Sequence, residues 1–317
     1  MTPERDEPAA WVIGEALIDI VCASGKVEEV PGGSPANVAV GLAKLGVPTA
    51  FLGHLGKDER GRRLVQHLAA SGVELVPGSD RAPRTSTATV RIDETGGAHY
   101  EFDMLWALPD AVRLPASRVL HTGSIAAYLE PGGSGVRDLL ATASSDTIVS
   151  FDPNIRPSIV GEPTSRLVRL TEQTAALSTV TKLSDEDAEW LYPGRPVDAV
   201  IDRLLECGPE LVSVTRGGHG AILATRRDRV AVPGVKVPVV DTVGAGDTYT
   251  AALLSQLLSL DLSRLDAAQL RSIGGVATVA AGVTVSRAGA DLPSRADLDA
   301  ALACERVSGA PGSQSEQ

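Results

Sequence analysis

Short apolar runs alternate with longer segments of helical spacing along most of the 317 residues. "WVIGEALIDIV" (Trp11–Val21) predicts a strand, and "NVAVGLAKLG" (Asn37–Gly46) a helix stopped by glycine. "TAFLGHLG" repeats the strand signal, and "DERGRRLVQHLAASG" repeats the helix with its glycine stop. Further on, "RVLHTGS", "TIVSFDPN", "TVTKLS" and "ELVSVTRGG" read as buried strands, each followed by a helix-compatible segment. Such alternation predicts a mainly parallel sheet with helices on both faces.

Two regions depart from this rhythm. "DIVCASGKVEEVPGG" has a strand–turn–strand pattern, and "TSTATVRIDETGGAHYEFDML" reads as a hairpin around Glu94–Gly97. Both look antiparallel and too small to fold alone. They predict a β-flap, about 15–31 and 85–106, built out of a single α/β domain spanning 10–304. Residues 305–317, ending "VSGAPGSQSEQ", are expected to form a disordered tail.

Composition narrows the function. The chain is 43% hydrophobic and 22% charged, as in an ordinary globular protein, and its formal net charge is −11. With no dense Lys/Arg stripe, nucleic acid is not an expected partner. Cys22, Cys207 and Cys304 are odd in number and lack any CxxC spacing, so they read as free thiols in a reducing compartment. The acidic start "MTPERDEPAA" leads into no signal-peptide core, and no charge-free apolar run reaches membrane-spanning length. A cytoplasmic location is expected.

The chemistry concentrates in "VDTVGAGDTYTAALLSQLL" (Val240–Leu258). "VPVVDTV" reads as a strand and "TYTAALLSQLL" as a helix, which puts Gly244, Ala245 and Gly246 at a helix N-terminus. Small residues there let several backbone N–H groups converge on one point, and the helix dipole favours an anion. A phosphate cradle is the expected result. A carboxylate beside an incoming phosphate is repulsive, so Asp247 needs another job. It is either a general base that takes a proton from an attacking hydroxyl or merely a helix cap. Two rival phosphate loops fail: Tyr249 stands where a dinucleotide fingerprint needs its third small residue, and no Walker G-K-[ST] run occurs.

About 200 residues earlier stands "PGGSPANVAVGLAKLG" (Pro31–Gly46). Together with "DTVGAGDTYTAALL" it resembles the two signature regions of the PfkB (ribokinase-like) carbohydrate kinases. "FLGHLGKDERG", "SFDPNIR", "KLSDEDAEWL", "VTRGGHGA" and "TVSRAGADLP" follow in the family's order. The resemblance implies a ribokinase-like three-layer αβα sandwich with a mainly parallel sheet and a small β-sheet lid. It also implies transfer of the ATP γ-phosphate to a sugar hydroxyl.

Several roles follow from the same resemblance. Asp247 falls on the catalytic base, and Gly244, Ala245 and Gly246 fall on the anion hole. Asp19, Gly32, Gly33 and Asn37 fall on sugar contacts; the alternative for Asn37 is a cap of the following helix. Asn154 and Arg156, at a strand end in "DPNIR", join them. Lys182, Ser184, Thr215, Gly217, Gly220 and Thr278 fall on the nucleotide region, with Ser184 where the family usually has Asn. Asp187 replaces the usual Glu and is expected to hold Mg²⁺ through water. Asp241, Val243, Ser286 and Gly289 fall on a K⁺ site, mostly through carbonyls. The pattern is most like bacterial fructokinases, with 2-keto-3-deoxygluconate kinase as the alternative and a non-catalytic sugar or nucleotide sensor as the competing class. Expected partners are a sugar, MgATP and a second copy of the chain paired through the lid, with no nucleic acid and no membrane. Phe102, Met104 and Trp106 either close over a sugar face or pack internally.

Overall fold

The computed structural model describes residues 8–308, apart from 24–25, 93–97, 110–111, 113–115 and 162–163. The chain opens with β1 (Ala10–Ile13), β2 (Leu17–Ala23), β3 (Lys26–Gly32) and α1 (Ser34–Lys44). Next come β4 (Thr49–Leu52), α2 (Glu59–Ala70), β5 (Val73–Leu75) and the hairpin β6 (Thr87–Ile92) and β7 (Ala98–Asp103). After these stand β8 (Val119–Gly123), α3 (Gly132–Leu140), β9 (Ile148–Asp152), α4 (Pro157–Val160) and α5 (Ser165–Ala176). The next stretch holds β10 (Val180–Ser184), α6 (Asp185–Leu191), α7 (Val197–Cys207) and β11 (Leu211–Thr215). The chain closes with β12 (Ala221–Ala224), β13 (Arg229–Val232), α8 (Ala245–Leu257), α9 (Ala267–Val285) and α10 (Arg295–Ser308).

Nine strands form one sheet in the order β13-β12-β11-β10-β9-β8-β1-β4-β5, parallel except where β12 and β13 pair antiparallel at one edge. One face packs α1, α2, α8, α9 and α10 around Val38, Leu42, Phe51 and Leu253. The other packs α5, α6 and α7 around Phe151, Leu183 and Ile201, while α3 covers Leu120 and Val149. The three expected layers are therefore present. Strands buried on both faces need unbroken apolar runs, and that is the pattern their sequences have.

The stretch expected as one strand over Trp11–Val21 is two. β1 ends at Ile13, and the next residue, Gly14, passes so close to α1 that a Cβ there would lie 2.3 Å from the Pro35 ring. β2 then leaves the main sheet for a second one of order β3-β2-β6-β7. Each hairpin in it is antiparallel, as expected, but they join through a parallel β2–β6 pairing. The turn expected at Glu94–Gly97 lies outside the described residues, apart from the strands flanking it. "VPVVDTV" is not a strand: residues 233–243 run without a sheet partner, and Val239, Val240 and Val243 are exposed. At the C-terminus α10 runs through Ser308, past the expected start of the tail at 305, and 309–317 lie outside the described residues. Among the described residues no helix is long and apolar enough to cross a membrane.

The sheet order reverses at β1, which lies between β4 and β8. In open parallel sheets the crevice beyond the strand C-termini at such a reversal is the natural ligand site. The N-termini of α1 and α8, which touch along their lengths, and the residues after β1, β8, β9 and β10 all gather at this end.

Candidate active site

α8 starts from Gly244, whose φ of 77° is left-handed and whose Cβ would lie 2.9 Å from Ala290. Glycine is required there on both counts. No side chain caps the helix, so its first amides are free of side-chain partners. Asp247, in the first turn and 6% exposed, turns its carboxylate away from the helix end toward α1. Ser34 Oγ donates to its Oδ1 at 2.6 Å and Asn37 Nδ2 donates to its Oδ2 at 2.8 Å. A cap would spend those oxygens on its own helix. Asp247 does not.

The start of α1 explains the arrangement. Gly33, with φ 105°, is the N-cap, Ser34 opens the helix and Pro35 lies in its first turn, where no N–H is needed. Asn37 is thus one turn inside the helix, its own N–H bonded to Gly33 O at 2.9 Å, and is not the cap. A Cβ on Gly33 would meet Glu15 O at 2.6 Å, so the chain after β1 and the start of α1 touch backbone to backbone.

From the other side, Asn154 follows β9 with φ 36° and donates through Nδ2 to Ser34 Oγ at 2.6 Å. Arg156, exposed, donates to Asn154 Oδ1. Three segments far apart in sequence therefore converge: Arg156 on Asn154, Asn154 on Ser34, and Ser34 with Asn37 on Asp247. Asp19 on β2 lies over Gly32, where a Cβ would come within 2.0 Å of Oδ2. Burial pushes its carboxyl up to about 6, and the nearby Arg156 charge opposes that rise.

Below the first turn of α8 lies a buried ion pair. Lys182 Nζ donates to Asp152 Oδ2 at 2.9 Å, with the two side chains 4% and 1% exposed. A Cβ on Gly246 would sit 3.1 Å from that Nζ. Lys182, expected in the nucleotide set, stands behind the amide cradle. Thr250 Oγ1 reaches both Asp152 Oδ2 at 3.2 Å and Gly246 O at 3.0 Å.

The remaining expected residues separate into groups. Ser184 and Asp187 form a capping box on α6, and Asp187 Oδ1 also accepts from Ile155 N at 2.7 Å. Its two oxygens thus serve three donors, the third being the Ser184 hydroxyl on Oδ2. Thr215 pairs in register with Ser184 and begins the turn through Gly217 and Gly220, both with positive φ. Thr278 is buried inside α9 and donates to Gly274 O, a bond within its own helix. Asp241 accepts from Val243 N and from Gly289 N at 2.9 Å, which draws the loop before α8 against the turn after Ser286. Trp106 packs in the α3 core with Nε1 on Ala126 O, so it is not free to close over a ligand.

Ser34, Glu15, Asp152 and Thr250 were not singled out by the sequence. Ser34 had a local signal, a small hydroxyl at the head of a helix after two glycines. Glu15 is 3% exposed and accepts from Ala126 N at 3.0 Å; burial pushes its carboxyl up to about 7. Asp152 is buried too, and its carboxyl rises to about 6 against the pull of Lys182.

A helix N-terminus without a side-chain cap, with a buried carboxylate in its first turn at the carboxyl edge of a parallel sheet, suits phosphoryl transfer to a hydroxyl. The chain belongs to the pfkB family of carbohydrate kinases, whose model matches residues 9–297. It is 34% identical over 308 residues to the fructokinase of Klebsiella pneumoniae, covering 92% of this chain and 98% of that one. Its fold matches a double-mutant Vibrio cholerae O395 fructokinase in fructose-, ADP- and potassium-bound form, with TM-score 0.79, 29% identity and coverage of 94% and 100%. It also matches the Salmonella enterica aminoimidazole riboside kinase, complexed with that riboside and an ATP analogue, with TM-score 0.79, 28% identity and coverage of 92% and 99%.

Proposed function

We propose that the protein phosphorylates fructose from ATP, with Asp247 as general base and the amides of Gly244, Ala245 and Gly246 as anion hole. The observation that carries this reading is the setting of Asp247: buried, in the first turn of α8, yet hydrogen-bonded to Ser34 and Asn37 instead of to its own helix end. A side chain so held has a fixed orientation beside the start of α1, which is what a general base needs.

The sugar lies against Asp19, Gly32, Gly33 and Asn37, with Asn154 and Arg156 at the phosphate side. Its terminal hydroxyl oxygen attacks the γ-phosphorus in line. The new O–P bond forms as the bond from γ-phosphorus to the β,γ-bridging oxygen breaks, ADP leaves, and the hydroxyl proton passes to Asp247. The helix-end amides meet the charge on the transferred group. The nucleotide runs along Ser184, Thr215, Gly217 and Gly220. The small sheet acts as the lid that keeps water out of the crevice.

Asp187 accepts from Ser184 in its capping box and from Ile155 N outside it, and no cluster of His, Cys, Asp or Glu suited to a metal occurs among the described residues. The residues do not fit a resident Mg²⁺, and the ion enters as part of MgATP. The Asp241–Gly289 contact draws together the two loops of the K⁺ site: carbonyls around Asp241, Val243, Ser286 and Gly289 would hold the ion, and its charge would steady the loop before α8. Val27 and Tyr100, exposed on the small sheet with its open edges, support pairing of two chains through the lid.

ADP release from MgATP against fructose, 2-keto-3-deoxygluconate, ribose, tagatose, adenosine, aminoimidazole riboside and fructose 6-phosphate tests the reading. Fructose is expected to give the highest kcat/KM. A higher value for 2-keto-3-deoxygluconate or a riboside would keep the mechanism and replace the sugar, and binding without ADP release would favour a sensor.

A further inference from the structure

We propose that Lys182 and Asp152 form a positioning pair that sets the charge and shape of the anion hole from behind, through Gly246. The inference rests on the kinase reading above.

The geometry is specific. Strand register puts the two side chains on adjacent strands at the carboxyl edge of the sheet, on the face covered by α8. The ammonium lies 3.1 Å from where a Gly246 Cβ would be, a tight contact that puts the charge directly behind the backbone of the first turn. Burial alone would push the ammonium down, but Asp152, then Asp187 and Asp247, hold it above the usual lysine range. His121 on β8, buried and bonded to Ser150, is kept neutral by burial and by the same ammonium, its imidazole pushed down to about 3. Lys182 is thus the buried cation beneath the cradle. Asp152 Oδ1 has no hydrogen-bond partner, so the pair is not built for maximal satisfaction of the carboxylate.

A buried pair of this kind contributes little net stability compared with apolar replacements, while breaking it by removing one partner is strongly destabilising. Its position is therefore better explained by what it does to Gly246. A fixed cation behind the amides, held by Asp152, adds to an anion hole at a site where charge is screened less than in water. Asp152 holds the ammonium and is itself reached by Thr250, whose hydroxyl also contacts Gly246 O, so the cation is anchored beneath α8 and is not a free phosphate ligand in the crevice.

The test separates electrostatics from scaffolding. Lys182→Met alone leaves Asp152 uncompensated and is expected to lower the melting temperature sharply. Asp152→Asn/Lys182→Met replaces the ion pair by neutral groups of similar size and is expected to recover most of the lost melting temperature. The double variant should nevertheless show kcat lowered roughly ten- to a hundredfold, with KM for fructose and for MgATP within about threefold of wild type. If the double variant regains wild-type kcat along with its stability, the pair is scaffolding and the proposal fails. A rise of tenfold or more in KM for MgATP with kcat intact would make Lys182 a nucleotide ligand and would equally overturn it. A wild-type enzyme that releases no ADP with any sugar would instead sink the kinase reading, which separates the two failures.

Discussion

Ser34 and Asp247 stand 213 positions apart in the chain, yet the serine hydroxyl donates to the aspartate carboxylate at 2.6 Å. With Asn37 on the second oxygen, the carboxylate is fixed by two side chains from α1. Ser34→Ala removes one of the two and leaves Asn154 Nδ2 without its acceptor. The expected result is a drop in kcat of roughly three- to thirtyfold, because a loosened base is misplaced more often than lost. KM for fructose should change far less. Steady-state kinetics with fructose varied at saturating MgATP checks this, and an unchanged kcat would detach Ser34 from the base.

Gly244→Ala tests the cradle itself. The substitution places a Cβ in a left-handed position and within 2.9 Å of Ala290. Strain of about 1–2 kcal/mol is expected from the backbone alone. Thermal melting should fall by several degrees and kcat by at least about tenfold, since the amides shift with the turn. A variant that melts as wild type and turns over normally would show that the left-handed turn is not needed.

Glu15 gives the pH dependence. Its folded carboxyl is pushed up to about 7 from an ordinary 4.5, first by burial. Between those values the native state binds more protons than the unfolded chain, so this group's contribution falls as pH rises from about 4.5 to 7. Asp19 and Asp152, each raised to about 6, act with the same sign. Glu15→Gln should therefore flatten the fall in melting temperature between pH 5 and 7.5, by the equivalent of roughly 2–3 kcal/mol at most. Melting curves of both proteins at four pH values decide it; parallel curves would mean that Glu15 does not titrate in this range.

Asp187 is the point where capping and metal binding make different demands. As a capping-box residue it accepts from Ser184 and Ile155. Asp187→Asn should lower stability by about 1–2 kcal/mol while leaving the Mg²⁺ concentration for half-maximal activity within about twofold. A large rise in the Mg²⁺ requirement, with little change in melting temperature, would return Asp187 to the metal.

The strands of the large sheet were legible because burial on both faces demands apolar runs, and "RVLHTGS", "TIVSFDPN", "TVTKLS" and "ELVSVTRGG" contain them. The glycine-rich helix start at Gly244 was legible for a similar reason, since few other residues tolerate that turn. Local pattern failed where a partner decides. "VPVVDTV" has strand composition but no neighbouring strand to bond with, and its valines stay exposed. The close approach of Gly14 to the Pro35 ring is a contact that sequence spacing does not reveal. Asn37 was open between cap and ligand because α1 begins three residues earlier, at Ser34, on a proline-tolerant first turn. Likewise, Asp152 reads locally as a strand end, and its pairing with Lys182 and Thr250 depends on segments distant in the chain. Contacts such as these between distant segments are set by the packing of α1 and α8 on the sheet, and neither helix alone carries a sign of them.

The most direct test of the account is the turnover of Asp247→Asn. The substitution keeps the size of the side chain, exchanges one of the two oxygens that accept from Ser34 and Asn37 for an amide donor, and removes the ability to take a proton. Sugar and nucleotide binding, followed by calorimetry, should stay within about threefold of wild type, while kcat with fructose and MgATP falls by roughly two to four powers of ten. Turnover near the wild-type rate, with the variant folded and binding normally, would contradict the assignment of Asp247 as the base.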